Sequence, residues 1–232
     1  VGAGYFWMGS DKRIDKNARD NELPQHRLYL PTYRIGKYPV TNEEYAAFVD
    51  ATDQPAPSHW KGNRPPADKP DHPVVYVCWH DAVAYCRWLS GATGVAYRLP
   101  SEAEWEKAAR GSDGRIWPWG NQPPDERRCN FDKRLGGDTT PVSSYRAGVS
   151  PCGCYDMAGN VWEWTSSLWG KDSDKPDFGY PYRSNDGRES DDSNTARVLR
   201  GGSFSNSRDY VRCASRVRYF PDDRYWGGGF RL

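Results

Sequence analysis

The chain has 232 residues, of which 32 are Lys or Arg and 31 are Asp or Glu, so its formal net charge is only +1. No run of positive charge could grip a phosphate backbone, which excludes nucleic acid as the main partner. No apolar stretch is long enough to span a bilayer and no signal peptide is visible, so a cytoplasmic location is the expectation, with the compartment and the oligomeric state left open.

The first predicted elements are strands. Residues 4–10 form one strand, and residues 26–30, which alternate in polarity, form a second. Residues 33–40 are predicted to be the partner of the second strand. The N-terminal part of the chain therefore starts a small antiparallel sheet.

Three helices are expected next. Thr41 stands three residues before Glu44, which is the spacing of a capping box. Asp81 can cap a second helix, and a third is predicted from Ser101 to Arg110, with acidic residues in its first turn where the helix dipole favours them.

Beyond Arg110 the helical period disappears, and Pro, Gly and Asp recur between tryptophans. Short strands are predicted at Val198-Leu199 and at residues 229–232. With 11 Trp, 15 Tyr and 7 Phe, aromatic rings supply the apolar area of a globular core. The sequence predicts an α+β class with a small antiparallel sheet, two or three helices and much ordered loop, in a single domain over residues 1–232.

The six cysteines include no CxxC, and the four histidines do not cluster, so a closed zinc site is not expected. Cys152 and Cys154 are separated by one glycine. A ligand pair, or bonds to two separate partners, are alternatives for them. We favour buried free thiols that pack as small apolar residues.

Several sequence motifs resemble those of a known protein family. In chain order they are KYPVTNEEY at 37–45, YRLPSEAEWE at 97–106, WPWGN at 117–121, YDMAGNVWEWT at 155–165, RVLRGGS at 197–203 and GFR at 229–231. Together they closely resemble the formylglycine-generating enzyme (sulfatase-modifying factor) family over essentially the whole chain. The resemblance implies an elaborated C-type-lectin fold with much irregular backbone, in agreement with the loop-rich α+β prediction.

The motifs also have structural interpretations. Gly201-Gly202 allows backbone to approach backbone closely. Glu163 lies between two tryptophans, and a buried acid requires a cation or donors. Arg98 is expected to form a buried ion pair with one acid of the third helix: Glu102, Glu104 or Glu106.

Structural calcium is implied by the resemblance. Carried over position by position, the expected ligands are Asp156 and Glu163 through carboxylates with the carbonyls of Gly159 and Val161, and, in a second site, Asn130 with the carbonyl of Phe131. These are the hard oxygen ligands that calcium prefers. Hydrogen bonding of the two acids to backbone amides and indoles is an equal alternative.

Catalysis is where the chain departs from the family. The oxidase of the family uses a cysteine pair between Gly-Gly-Ser and Arg-Cys-Ala to hold copper(I), but residues 204–211 contain no cysteine here. Cys213 matches a structural position, and no histidine follows His80 to serve a related iron enzyme. We therefore expect no copper and no enzymatic activity. A divergent formylglycine-generating oxidase that acts on a protein cysteine through another thiol arrangement is the alternative.

The segment 203–229 contains no Lys, Glu, Gln or Met. Tyr and Trp beside Ser, Gly and Asn form the composition of an antibody paratope. When the adenines of asparagine codons are randomised, the resulting codons can encode Tyr, Ser, Gly and Asn but not Lys, Glu, Gln, Met or Trp. Of the candidate binding positions, only Trp226 could not arise in this way. The candidate binding positions are Ser205, Asn206, Ser207, Asp209, Tyr210, Ser215, Val217, Tyr219, Phe220, Asp223, Tyr225, Trp226 and Gly227.

Such a segment resembles the variable proteins of diversity-generating retroelements, lectin-fold relatives of the same family. The resemblance implies a non-catalytic protein that binds an unknown protein or other macromolecular ligand. The large aromatic side chains of the segment would be the anchors, and Asp209 and Asp223 would favour basic groups on the partner. Burial of the aromatic residues, or service as one module of a longer protein, are the alternatives.

Overall fold

The computed structural model describes residues 1–133, 136–171, 175–191 and 194–232. Its helices are α1 (Asn42–Ala51), α2 (Trp79–Thr93) and α3 (Glu102–Arg110), and single 3-10 turns lie at Asp20–Glu22 and Arg146–Gly148. Its strands are β1 (Gly4–Met8), β2 (His26–Leu30), β3 (Trp162–Gly170), β4 (Ala196–Arg200), β5 (Arg216–Tyr219) and β6 (Gly228–Phe230). β1 and β2 form an antiparallel pair, and the other strands form a sheet in the order β5-β4-β3-β6.

Capping boxes begin the helices. Those of Thr41 in α1 and Ser101 in α3 confirm the predictions. The predicted start of α2 was wrong, because the helix begins at Trp79 with Cys78 as its cap. Asp81 is the third helical residue, and its Oδ2 accepts a hydrogen bond from the N–H of Cys78 at 2.9 Å.

The predicted partner of β2 was also wrong. β2 pairs with β1, with Gly4 opposite Leu30. Residues 33–40 form no strand and run beside the C-terminal segment, where the N–H of Val40 donates to the carbonyl of Phe230 at 2.9 Å. Pro39 has no N–H, which weakens this segment as a strand.

β3 is one of the two inner strands of the larger sheet and was not foreseen. It is antiparallel to β4 and parallel to β6. Eight of its nine residues are buried, so the strand carries none of the alternation that marks a half-exposed strand. The predicted strands at Val198-Leu199 and near residue 229 are parts of β4 and β6.

Aromatic rings fill the core between α1, α2 and the larger sheet, as the composition predicted. The rings of Tyr45 and Tyr85 stack with centroids 5.8 Å apart, and Phe230 of β6 meets Tyr85 edge-on at 5.4 Å. Trp164 of β3 lies in the same cluster. The C-terminal strand is thereby packed into the centre of the molecule.

Buried ion pairs hold α3 to the larger sheet. Arg200 of β4 contacts Glu102 at 3.1 Å and Glu106 at 2.5 Å, and Arg216 of β5 donates to Glu102 at 2.8 Å. The ion pair predicted for Arg98 forms with Glu104, one of its three candidate partners, at 2.6 Å, but the prediction that this pair is buried was wrong, because the Arg98 side chain is exposed. Glu102 and Glu106 point from the inner face of the helix, so their partners come from distant strands.

Glu163 meets the cation that its burial requires. Arg231 donates from Nε to Oε2 and from Nη2 to Oε1, each at 2.6 Å, and Trp105 Nε1 donates to Oε2 at 2.7 Å. The three side chains are fully buried. This ion pair joins β3 to the residue that follows β6.

All six cysteines are free thiols, as favoured from the sequence; five are buried and Cys152 is exposed. Burial raises the pKa of Cys213 to about 12. In the described ranges, no helix combines the length and apolar character needed to cross a membrane.

Candidate ligand-binding site

A cleft of about 820 Å³ opens where β5, the segment after β4 and the N-terminal loop meet. It brings together the following candidate positions: Ser205, Asn206, Ser207, Tyr210, Val217 and Tyr219. Its other lining residues are Arg19, Asn21, Trp162, Trp169, Arg216 and Arg218. The cleft has the size of a small-molecule or peptide site and a mixed aromatic and polar wall.

Two glycines turn the chain from β4 into the cleft. Gly201 and Gly202 have φ values of +101° and +76°. A Cβ on Gly202 would lie 2.7 Å from Val211 Cγ1 and 2.9 Å from the carbonyl oxygen of Tyr210. The close backbone approach predicted for this pair is therefore confirmed, and it places residues 203–210 along one wall.

The side chain of Asn206 is fixed in one orientation. Its Oδ1 accepts hydrogen bonds from the N–H of Ser203 at 2.9 Å, Ser203 Oγ at 2.8 Å and Trp162 Nε1 at 2.8 Å. Backbone and indole N–H groups can only donate, so the oxygen must face them. The amide nitrogen is left as the part of the side chain that can donate to a ligand.

Arg19 reaches the cleft from the opposite wall. Its guanidinium carbon lies 3.8 Å from the centroid of the Tyr210 ring, and Tyr210 in turn meets Trp162 edge-on at 6.4 Å. A buried ion pair holds this N-terminal loop in place: Arg212 contacts Glu22 at 2.6 Å and Asp15 at 2.7 Å. The stacked arginine and tyrosine form a cation–π pair.

The floor of the cleft is rigid. Arg216 is buried between the rings of Trp169 and Tyr180, at 5.0 and 4.7 Å from their centroids, and its charge is paired with Glu102. Its Nη1 donates to the carbonyl of Asn21 at 3.2 Å, which ties the floor to the N-terminal loop.

None of the other aromatic candidates lines the cleft. Tyr225 stacks under Tyr219 with centroids 4.5 Å apart, and burial raises the pKa of Tyr225 well above its usual value. Phe220 is 54% exposed. Trp226 is 45% exposed and packs against Phe204 at 4.9 Å, in a separate depression of about 400 Å³.

The remaining candidates do not line the cleft. Asp209 accepts a hydrogen bond from Asn17 Nδ2 at 3.0 Å, and Asp223 accepts one from the N–H of Phe220 at 2.8 Å. Both carboxylates therefore serve local structure. Ser215 and Gly227 are buried.

The candidate calcium ligands fall into two groups. Asp156 is buried, its Oδ1 has no hydrogen-bond partner and its Oδ2 is 3.2 Å from Asn160 Nδ2. Burial raises the pKa of Asp156 to about 8. Both oxygens of Glu163 are instead engaged by Arg231. A cation would therefore find an available carboxylate oxygen at Asp156, and none at Glu163.

The backbone around Asp156 is tightly packed. The N–H of Asn160 donates to the carbonyl of Asn130 at 2.9 Å, and a Cβ on Gly159 would lie 2.2 Å from that oxygen. Asn130 Nδ2 donates to the carbonyl of Asp138 at 2.8 Å. Phe131 packs in the neighbouring cluster of Trp117, and Val161 is buried beside Gly201.

The redox ligands of the family are not found at the cleft. No cysteine or histidine is among the described residues that line it. Elsewhere in the described part of the chain, no group of three or more His, Cys, Asp or Glu side chains could hold a metal ion.

The family model of the sulfatase-modifying factor enzyme 1-like domain matches residues 1–232. The formylglycine-generating enzyme of Thermomonospora curvata is 33% identical over 287 residues, covering 100% of this chain and 91% of that protein. The hercynine oxygenase of Mycolicibacterium thermoresistibile is 36% identical over 260 residues, covering 98% of this chain but only 56% of that protein.

Among solved structures, PvdO from Pseudomonas aeruginosa superimposes with a TM-score of 0.78 at 28% identity, covering 100% of this chain and 91% of its own. Treponema denticola variable protein 1 superimposes with a TM-score of 0.72 at 25% identity, covering 100% of this chain and 92% of its own. The chain therefore belongs to the sulfatase-modifying factor enzyme 1-like family and has the C-type-lectin fold that its motifs implied.

Proposed function

We propose that this protein binds a protein ligand through the cleft and performs no chemistry on it. The observation that carries the proposal is the identity of the wall. The segment in which the enzymes of the family are expected to carry their reactive cysteines supplies Ser205, Asn206, Ser207 and Tyr210 to the cleft instead. These are adaptable hydrogen-bonding groups beside a rigid aromatic anchor, as in a paratope.

Exposed rings support the same function. Tyr219 lies at the rim with 36% of its surface exposed, and Phe220 follows it on the surface. Large exposed aromatic residues are typical of interaction sites. The likeness to Treponema denticola variable protein 1 also favours the proposal, since its name describes a protein that varies.

Selection from a random dodecapeptide library on the immobilised protein tests this function. We expect peptides whose affinity falls by about 2 kcal/mol, roughly 30-fold, in Tyr210→Ala or Tyr219→Ala, because a central aromatic anchor dominates an interface. Tyr29→Ala is the matched control, since Tyr29 is an exposed ring outside the cleft. Failure to select peptides that depend on the cleft would contradict the proposal.

A second candidate is an oxidase, which the names of the relatives favour. Cys152 and Cys154 are the closely spaced thiols, but neither lines the cleft, and partial desolvation of the Cys152 thiol raises its pKa. A copper(I) titration combined with a turnover assay on a cysteine-containing sulfatase peptide distinguishes the two functions. Turnover would overturn the binding proposal.

We also propose structural calcium at Asp156, with carbonyls of Gly159 and Val161 and the Asn130–Phe131 segment as the neighbouring oxygen donors. The unpartnered Oδ1 of Asp156 supports this assignment, and Glu163 takes no part in it. We expect calcium to raise the melting temperature relative to EGTA in the wild type, because it binds only the folded state. Asp156→Asn should abolish that increase and Asp50→Asn should retain it; a calcium response that survives Asp156→Asn would refute the ligand.

A further inference from the structure

We infer that the cleft binds a carboxylate of its polypeptide ligand, with the guanidinium of Arg19 and the side-chain amide of Asn206 as donors. This inference rests on the proposed function and names the chemistry that the cleft would recognise.

The first observation is the state of Arg19. Its guanidinium carbon lies 3.8 Å from the centroid of the Tyr210 ring and the side chain is half-buried, yet the guanidinium forms no ion pair or hydrogen bond within the described ranges. The other lining arginine on the floor, Arg216, already shares its charge with Glu102. The stacked face of Arg19 is used by Tyr210, and the N–H groups around its edge are left for a ligand.

The second observation is the orientation of Asn206. Three donors fix its oxygen, so only the NH₂ group can reach into the cleft. The Ser207 hydroxyl lines the same wall and can also donate. The Ser205 hydroxyl instead bonds to Ser203 Oγ at 3.2 Å, because the proton of Ser203 Oγ goes to Asn206. The wall therefore presents fixed donors, and a ligand acceptor satisfies them.

The third observation is the sign of the charge. The residues that line the cleft in the described part of the chain include arginines and no acid. The nearby carboxylate of Asp209 bonds to Asn17 at 3.0 Å and lies outside the lining. The earlier expectation that Asp209 and Asp223 select basic groups is replaced by the opposite preference.

A planar carboxylate fits this arrangement better than a phosphate chain. Guanidinium N–H groups match a carboxylate in a two-bond geometry. A nucleic acid would need several unpaired cations in a row, and the near-neutral net charge of the chain argues against them. The carboxylate can come from an acidic side chain or from a free C-terminus.

Two N-acetylated random hexapeptide libraries, one with a free C-terminus and one amidated, separate these sources. Peptides retained by the wild type are sequenced and compared with those retained by Arg19→Gln and Arg27→Gln. Arg27 is the matched control, since its guanidinium stacks on Tyr5 at 4.6 Å outside the cleft. We expect enrichment of Asp and Glu in both libraries, or of the free C-terminus, in the wild type and in Arg27→Gln and its loss in Arg19→Gln.

Asn206→Asp supplies a second variant that keeps the acceptor oxygen and removes the donor. We expect a selected acidic peptide to bind it about tenfold or more weakly, and the amide analogue of that peptide to regain affinity, because charged hydrogen bonds are lost and a repulsion is introduced. Such an inverted preference does not arise from a loosened fold.

The outcomes separate this inference from the proposed function. Peptides that depend on Tyr210 but show no carboxylate preference, or bind Arg19→Gln unchanged, would overturn the inference and leave the function standing. Absence of any peptide that depends on the cleft would overturn both.

Discussion

Several buried acids in this molecule depend on an arginine for their counter-charge. Arg231 and Glu163 are fully buried and meet through two bonds of 2.6 Å. Desolvation of two charges costs much of what their attraction contributes, so the pair is not a large net gain. Removal of one partner is different, because the other charge then stays buried without compensation.

Glu163→Gln tests this at the residue scale. We expect the free energy of unfolding to fall by about 3 kcal/mol or more, since Arg231 would lose its counter-charge inside the protein. Urea denaturation measures the change. Asp50→Asn removes the exposed partner of Arg64 and should cost about 1 kcal/mol or less; equal costs for the two variants would contradict the interpretation.

The sequence predicted only part of these contacts. The need of Glu163 for a cation followed from its two tryptophan neighbours. The identity of the cation did not, because Arg231 lies 68 positions away in the chain. The partners of Glu102 could not be predicted either. An acid in the first turn of a helix interacts favourably with the helix dipole whether it faces solvent or, as here, Arg200 and Arg216.

The shape of the candidate cleft depends on the turn after β4. Gly201 and Gly202 let the chain leave the sheet and pass close to Val211. The residues that follow then hydrogen-bond to Asn160, through the N–H of Phe204 at 3.0 Å. The wall of the cleft is therefore fixed by backbone contacts.

Gly202→Ala should disturb this wall. Gly62→Ala is the matched control: Gly62 has φ +59° but open space around its Cβ position, so it reports the cost of the left-handed backbone alone, about 1 kcal/mol. We expect Gly202→Ala to lower the free energy of unfolding by a clearly larger amount and to weaken peptide binding, measured by urea denaturation and fluorescence anisotropy. Equal effects in the two variants would show that the close approach to Val211 is unimportant.

Local signals predicted some elements and failed for others. The caps of α1 and α3 are short-range patterns, so they could be read directly. β3 has buried side chains on both faces and hence no alternation, and residues 33–40 resemble a strand locally but bond to the C-terminal segment. In both cases the structure is determined by backbone hydrogen bonds to distant segments, which a local sequence pattern does not report.

Across the molecule, a buried framework of ion pairs and aromatic rings supports a cleft lined by partly exposed side chains. The cleft collects residues from the N-terminal loop, β3, β5 and the segment after β4. Six of the thirteen candidate positions named from composition line the cleft. The place of Arg19 in the cleft could not be predicted, because the ion pair of Arg212 with Glu22 brings its loop to the cleft across 190 positions of the chain.

The difference between exposed cleft residues and the buried framework predicts how substitutions change the free energy of unfolding. The combined variant Ser207→Ala, Tyr219→Ala and Phe220→Ala should change the free energy of unfolding by only about 1 kcal/mol, because these side chains are partly or largely exposed. The single framework change Arg216→Gln should cost about 3 kcal/mol or more, since it breaks a buried pair. Urea denaturation measures the free energy of unfolding of both variants. A triple variant as unstable as Arg216→Gln would show that the exposed side chains contribute to stability as much as the buried ion pair does.

The position of β6 and Arg231 has a consequence for the integrity of the cleft. β6 overlaps the end of the segment 203–229, Arg231 follows it, and both are packed at the centre of the fold. A frameshift or premature stop within that segment would lose Phe230 and the counter-ion of Glu163 together. Only a chain that includes Phe230 and Arg231 can complete the core, so an intact cleft requires residues that follow it in the sequence.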